Sequence, residues 1–209
     1  MPEPKNNCDA FSSLYKSFQY CNGQVSLPGC RARVYFIPKR DIVKWPKLKM
    51  TDATDMKSVA QYDGNFVLAA DKNFKYIDLV DGENEPKSEQ VGAFGSFHFN
   101  NTATLVIPGT EEEQTGLITL LNNENTVFIV QQRNGKARIF GSEAFNAQIK
   151  PSQNWGKGTS DSNNSTLEIT AEDMAPAPFY PGDIVCEGGV TYSGADGSLK
   201  ETASEDGNA

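Results

Sequence analysis

Apolar and polar residues alternate along much of this chain with the period of two that is typical of a β-strand. The clearest example is TVFIVQQRNGKARIFG, residues 126–141, in which two apolar runs meet at Asn134-Gly135, a dipeptide that favours a tight hairpin turn. The first run is apolar at every position from Val127 to Val130, which predicts a central strand covered on both faces. We therefore expect a mainly β fold built from hairpins.

Four further segments carry strand patterns. Val34 to Ile37 predicts a short strand that ends at Pro38, because proline is confined to strand ends and edges. Residues 96–107 alternate over their whole length and predict either one long strand or two strands that turn at Asn100-Asn101. GNFVLAADKNFKYIDLV, residues 64–80, predicts a second hairpin, and STLEITAED, residues 165–173, predicts a closing strand.

One segment has a clear helical pattern. Thr110 and Glu113 have the spacing of a capping box, and they precede an apolar face formed by Leu117, Ile118 and Leu121. This pattern predicts a helix over about 111–122 that packs on the sheet. A shorter helical face over residues 11–18 allows a helix near the N-terminus.

These elements divide the chain into three parts. We expect an extended N-terminal arm over 1–33, a β domain over 34–186 and an acidic flexible tail over 187–209. Within the β domain, residues 39–64 have no clear period and predict a long loop. Residues 151–165 are rich in Gly, Ser and Asn and predict a flexible loop.

Charge is distributed unevenly along the chain. Residues 1–50 carry nine Lys or Arg against three Asp or Glu, whereas the remaining residues carry ten against twenty-four. The basic part can contact acidic groups of its own chain or of another copy. An overall charge of −8 argues against a protein that grips nucleic-acid phosphates. The chain has no long apolar run and no secretory signal pattern, so we expect synthesis in a cytoplasm and no membrane contact.

Residues with catalytic or metal-binding chemistry are few. His98 is the single histidine, and the four cysteines have no metal-ligand spacing, so we expect free thiols and no metal, cofactor or catalytic site. A hydrolase remains an alternative if carboxylates such as Glu168, Glu172 and Asp173 converge. A carbohydrate-binding or adhesion module is another, in which aromatic rings stack on sugars: Trp45, Trp155 and Tyr180.

Four stretches of the chain, FIPKRDI, GNFVLAADKNFKYIDL, PGTEEEQTGLITLLN and MAPAPFYPGDI, together with the order of the elements, resemble the tail tube (major tail) proteins of tailed bacteriophages. The resemblance covers about residues 30–186. It implies a β-sandwich or partly closed β-barrel with one flanking helix. It also implies that six copies form a ring, that rings stack into a tube, and that double-stranded DNA passes through the lumen of this tube.

The resemblance further implies a protein located in the virion tail, assembled in the host cytoplasm, whose partners are its own copies and other tail or virion proteins. Capsid decoration, head-completion and tail-terminator proteins are virion alternatives with related small β domains. The arm and the 39–64 loop would contact neighbouring copies. The candidate interface residues are Arg31, Arg33, Lys39, Arg40, Lys44, Trp45, Lys47 and Lys49, and the candidate loop contacts are Trp155 and Tyr180.

Overall fold

A computed structural model describes residues 13–200, apart from the side chain of Thr51. The protein is mainly β, with 43% of residues in strands and 11% in helices. One α-helix, α1, spans Glu112–Leu121, and four 3-10 turns span Lys39–Asp41, Lys49–Thr51, Ser58–Ala60 and Glu187–Gly189. The strands are β1 Cys30–Pro38, β2 Ile42–Lys44, β3 Lys47–Leu48, β4 Tyr62–Asp63, β5 Val67–Leu68, β6 Lys75–Asp78, β7 Glu85–Val91, β8 His98–Pro108, β9 Thr126–Gln132, β10 Ala137–Phe140, β11 Gln148–Asn154, β12 Asn164–Asp173, β13 Asp183–Val185, β14 Thr191–Ser193 and β15 Leu199–Lys200.

Two four-stranded antiparallel sheets form the body. Sheet A has the strand order β10-β9-β1-β6, and sheet B has the order β11-β12-β8-β7. Side chains from both sheets meet in one apolar cluster, including Val34 and Phe128 from sheet A and Leu105 and Leu167 from sheet B. Among residues 13–200 no sheet closes into a barrel. The predicted mainly β, sandwich-like fold is therefore confirmed, and the barrel alternative is not the one adopted.

Helix α1 lies against this first core. Leu121 is buried, and Leu117 and Ile118 pack against the same cluster, which confirms the predicted helix and its apolar face. The predicted capping box is wrong. The N-cap is Glu111, one residue later than the box requires, and it makes no side-chain capping bond. Thr110 and Glu113 are consequently out of register for reciprocal capping.

The other face of sheet A carries a second core. Tyr35 and Ile129 project from this face and pack with Phe74 and Tyr180 from the connecting segments. Strand β9 is therefore covered on both faces, which confirms the prediction drawn from its continuous apolar run. Sheet A is the middle layer of the molecule.

Several predicted strands are confirmed. The hairpin over 126–141 forms as β9 and β10, and Gly135 takes the positive φ of 87° that its turn requires. Residues 98–108 form one continuous strand rather than two. The closing strand forms as β12, with wider bounds than the sequence indicated.

The predicted second hairpin, over 64–80, is wrong. Val67–Leu68 pairs with β2, whereas Lys75–Asp78 pairs with β1 at the edge of sheet A. Alternation shows that each segment is a strand but does not identify its partner. Burial explains the outcome. Phe66, directly before β5, and Phe74, directly before β6, both pack into the second core, while the two strands that follow them pair with different partners.

The element boundaries differ from those expected. The strand expected at residue 34 begins at Cys30, so the arm is shorter than 1–33. The expected loop over 39–64 contains three short strands and three 3-10 turns. The expected flexible loop over 151–165 begins and ends in β11 and β12. Residues 187–200 belong to the three-stranded sheet C, β13-β14-β15, rather than to a tail.

Some expectations fall partly outside the described part of the chain. Residues 201–209 and residues 1–12 lie outside it, including Cys8. Residues 13–18 contain only a turn at 13–14, so the helix considered over 11–18 does not form in its described portion. Cys21, Cys30 and Cys186 are free thiols as expected, although Cys30 is buried in β1 rather than exposed on an arm.

Candidate functional site

Five of the eight candidate interface residues form hydrogen bonds or ion pairs within their own chain. Arg31 donates hydrogen bonds to the backbone oxygens of Gly197, at 2.9 Å, and Asp196, and so attaches sheet C to β1. The Arg33 Nε atom lies 2.6 Å from an Asp78 carboxylate oxygen, and this hydrogen bond raises the pKa of the guanidinium.

The other three contacts of this kind are made by Lys39, Arg40 and Lys49. Lys39 Nζ donates to the Glu143 backbone oxygen at 2.6 Å, and burial lowers the pKa of this amine. Arg40 pairs with Glu124 at 2.9 Å, and Lys49 pairs with Asp63 at 3.2 Å. Three of these five cations, Arg33, Arg40 and Lys49, are therefore paired with carboxylates of their own chain.

The remaining candidates, Lys44, Trp45 and Lys47, line one open cleft of about 690 Å³. We call this "the cleft". Its lining comes from the segment 43–48, which contains β3 and the end of β2, and from the loop 142–145 together with the end of β12. Neither Lys44 nor Lys47 forms an ion pair with any residue of the described range 13–200.

The rim of the cleft is apolar and exposed. Val43, Phe145 and Met174 line it and remain accessible, with Met174 61% exposed. Trp45 is half-buried and packs edge-on against Phe66, with 5.3 Å between the ring centroids. An apolar rim with a rigid aromatic wall is typical of a surface that contacts another protein.

A buried carboxylate also lines the cleft. Asp173 is 7% exposed, accepts a hydrogen bond from the Met174 backbone N–H at 2.7 Å, and has no cationic partner within the described chain. Burial raises the pKa of this carboxyl. Burial likewise raises the pKa of Tyr62 at the same site, and the nearby charges of Asp173 and Glu143 add to the effect. The Asp173 carboxyl therefore has backbone N–H donors, from Met174 and Ala175, but no cation beside it in the described chain.

The carboxylates of the hydrolase alternative do not converge. Glu168 and Glu172 lie on the outward face of β12, whereas Asp173 projects from the opposite face. Glu168 pairs with Lys150 at 3.3 Å. Glu172 lies 3.9 Å from His98 on the same outward face of sheet B. These positions leave no shared pocket for a general acid and a second carboxylate.

The structure corrects the prediction of Tyr180 as a loop contact. Its side chain has no exposed surface, and its hydroxyl accepts a hydrogen bond from the Phe66 N–H and donates one to the Asp183 backbone oxygen at 2.9 Å. A buried ring cannot form a sugar-stacking platform together with Trp45 and Trp155. Trp155 itself is 78% exposed in the loop after β11.

A second exposed surface precedes β1. Residues 15–29 are exposed at every position and form no strand or α-helix, although they carry large rings. Tyr15 and Phe18 are 82% and 84% exposed. We call residues 13–29 "the aromatic segment". Apart from the partly buried Leu14, this segment contributes little apolar burial to its own chain, which indicates a partner elsewhere.

The sequence reasoning missed several of the residues that distinguish these surfaces. Phe145 and Met174 gave no signal, because each is a single apolar residue in a loop or strand end. Phe94 and Phe97 form an exposed aromatic pair at the β7–β8 turn, with ring centroids 6.5 Å apart. The string GAFGSF could have identified this pair, because glycines beside two phenylalanines favour an exposed turn.

Comparison with known proteins adds no family: no family model, no curated protein and no solved structure matches this chain. No helix within residues 13–200 has the length and apolar character needed to span a membrane.

Proposed function

We propose that this chain is a structural virion protein that self-assembles into stacked hexameric rings and so forms the phage tail tube through which double-stranded DNA passes. The observation that carries the proposal is the aromatic segment, whose rings of Tyr15, Phe18 and Tyr20 remain exposed on a single copy. The sandwich-like β fold with one flanking helix agrees with the architecture that the resemblance implies. A self-assembling wall protein accounts for both features.

Contacts between copies would not extend sheet A at β10. The outer side of β10 is covered by the segment 178–180, since the Ile139 N–H donates to the Pro178 oxygen at 3.0 Å and the Tyr180 N–H donates to the Ala137 oxygen at 2.9 Å. At the other edge, the Phe74 N–H donates to the Val185 oxygen. The β10 edge therefore already has a partner in its own chain, and the β6 edge is engaged at Phe74, directly before the strand.

The edges of sheet B are also poorly suited to pairing between copies. Its edge strands β7 and β11 contain Pro86 and Pro151, and proline cannot donate a backbone hydrogen bond. Charged residues flank both prolines, as is common on strands protected from edge-to-edge pairing. We therefore propose that side-chain contacts of the aromatic segment and the cleft hold the copies together, rather than one sheet continuous between copies.

The outward face of sheet B is the surface that we assign to the lumen. The central part of this face carries uncharged polar side chains, Asn100, Thr102 and Thr104 among them. Carboxylates outnumber amines on the same face: Glu85, Glu89, Glu168 and Glu172 stand against Lys87 and Lys150. A polar, net negative surface offers few cations to hold DNA phosphates and would allow DNA to slide.

In this proposal the protein acts in the virion tail, is assembled in the host cytoplasm, and contacts other tail proteins at the ends of the tube. It has no catalytic role, and its work is done by the contacts between copies. A capsid decoration, head-completion or tail-terminator protein would instead form a small closed oligomer or bind a preformed virion surface.

Negative-stain electron microscopy and analytical ultracentrifugation test the proposal. The purified chain is followed over a range of protein and salt concentrations. Rings with sixfold symmetry or hollow tubes are the expected result. A chain that stays monomeric at every concentration, or that forms only closed dimers or trimers, would overturn the tube proposal in favour of one of the other virion roles.

A further inference from the structure

The aromatic segment lies outside the cleft of its own copy. Hydrogen bonds from Ser58 lower the pKa of Asp55, and Lys16 lowers it further, so Lys16 lies within electrostatic range of this carboxylate. Asp55 does not line the cleft. The rings on either side of Lys16, those of Tyr15 and Phe18, stay exposed. The segment therefore presents, between two exposed aromatic rings, a cation that lies in the field of Asp55 but forms no ion pair within the described chain.

The cleft presents the complementary chemistry. Its lining includes three carboxylates, those of Asp52, Glu143 and Asp173, and of these Asp173 is buried without a cation. Two amines, those of Lys44 and Lys47, stand against the three carboxylates and are exposed to solvent. A cation that entered the cleft would find an unpaired carboxylate in a poorly hydrated place, where the attraction is strongest.

We propose that the stretch 15–20 of one copy docks in the cleft of a second copy, with Lys16 directed at Asp173 and the rings of Tyr15 and Phe18 on the apolar rim. This inference rests on the proposed function, since both require contact between copies. The rim residues Phe145 and Met174 then become buried under the rings. The docking stretch presents a cation between aromatic rings, and the cleft presents a buried carboxylate with apolar side chains at its rim. The two surfaces are therefore complementary in polarity and in charge.

Disulfide trapping tests the docking directly. The background variant carries Cys8→Ser and Cys21→Ser, while the buried Cys30 and Cys186 are kept. One protein then carries Phe18→Cys and another carries Met174→Cys. The two proteins are mixed and oxidised, and the products are separated on a non-reducing gel. The matched control replaces Phe18→Cys with Val25→Cys, which is equally exposed but lies outside the docking stretch.

The expected result is a crosslinked heterodimer in the Phe18→Cys mixture and little in the Val25→Cys mixture. Absence of the heterodimer would overturn the inference. A third protein carries Phe18→Cys and Met174→Cys in one chain. If that protein closes an intramolecular disulfide while the mixture gives no heterodimer, the segment occupies the cleft of its own copy, and the inference between copies is wrong.

Electron microscopy of the same samples separates this inference from the proposed function. Rings or tubes without the heterodimer crosslink would overturn the docking and leave the tube proposal standing. A crosslinked heterodimer in a preparation that forms only closed dimers would support the docking and count against the tube.

Exposed-residue variants test the energetics without threatening the fold. Phe18→Ser and Met174→Glu should each raise the protein concentration needed for half-assembly by roughly ten- to a hundredfold, the effect of losing one buried apolar side chain. Leu120→Ser, on the exposed face of α1, is the matched control and should change it less than about twofold. Lys16→Gln should weaken assembly and Lys16→Arg should preserve it. Equal behaviour of Lys16→Gln and the parent chain would contradict the assigned ion pair.

Discussion

Tyr180→Phe provides the sharpest test of the second core. The substitution removes one oxygen and keeps the ring, which packs 5.1 Å from the ring of Phe66. The hydroxyl joins two segments, because it accepts from the Phe66 N–H at 3.3 Å and donates to the Asp183 oxygen at 2.9 Å. Phenylalanine would leave both backbone groups without this partner in a site that has no exposed surface.

The expected loss follows from these two bonds. A buried hydrogen bond contributes about 0.5–1.5 kcal/mol, so Tyr180→Phe should lower the free energy of unfolding by roughly 1–3 kcal/mol. For a chain of this size each kcal/mol changes Tm by about 2–4 °C. The fall in Tm should therefore be between about 2 and 12 °C, with no change in the urea m-value, because the surface exposed on unfolding is unchanged.

Urea titrations followed by circular dichroism, at a concentration below assembly, measure this loss. The matched control is Tyr76→Phe, because Tyr76 is about half-exposed and its hydroxyl makes no hydrogen bond within the described chain. That control should stay within about 0.5 kcal/mol of the parent. If Tyr180→Phe is equally neutral, the hydroxyl is solvated in solution, and the description of Tyr180 as a buried anchor is wrong.

Three further predictions concern the first core, the cleft and the helix start. Phe128→Ala should cost about 3–5 kcal/mol in urea unfolding, because the ring is fully buried between the sheets; a loss below about 1 kcal/mol would contradict that packing. Asp173→Asn should raise Tm at neutral pH, because the pKa of Asp173 is raised in the folded state and the parent loses stability as pH rises through that folded pKa. The gain in Tm should shrink as pH falls towards the ordinary pKa of 3.8, and a gain independent of pH would refute this. Thr110→Ala should cost less than about 0.5 kcal/mol, whereas a working capping box would make the loss about 1 kcal/mol in the same urea assay.

The sequence predicted strands better than it predicted their partners. The turn signal at Asn134-Gly135 specifies both strands of its hairpin, because a short loop fixes how they pair: Gln132 bonds to Lys136 across three residues, the last of which is the positive-φ Gly135. Residues 64–80 lack such a turn, and their two strands pair with β2 and β1 instead. The choice was made by burial of Phe66 and Phe74 in the second core, a tertiary effect that a local pattern does not contain.

The same limit explains the segments expected to be loops or a tail. Residues 187–200 are mostly small or polar, yet they form most of sheet C, which Arg31 ties to β1 by bonding to the backbone of Asp196 and Gly197. Gly135 permits the close approach, since a Cβ at that position would lie 1.6 Å from the Asp196 oxygen. The hydrogen bonds from Arg31 to this sheet join residues more than 160 positions apart, and the local sequence of 187–200 does not predict them.

The cleft was predictable only in part, and charge shows why. The sequence identified a basic region by counting, and the structure shows that Arg33, Arg40 and Lys49 are already matched by carboxylates of their own chain. Counting cannot separate a matched charge from an unmatched one, because the partner is set by the fold. Lys44 and Lys47 form no ion pair in the described chain, and they line the same cleft as a buried carboxylate that lacks a cation. An interface between copies is therefore better sought where charges of both signs lack partners than where one sign is abundant.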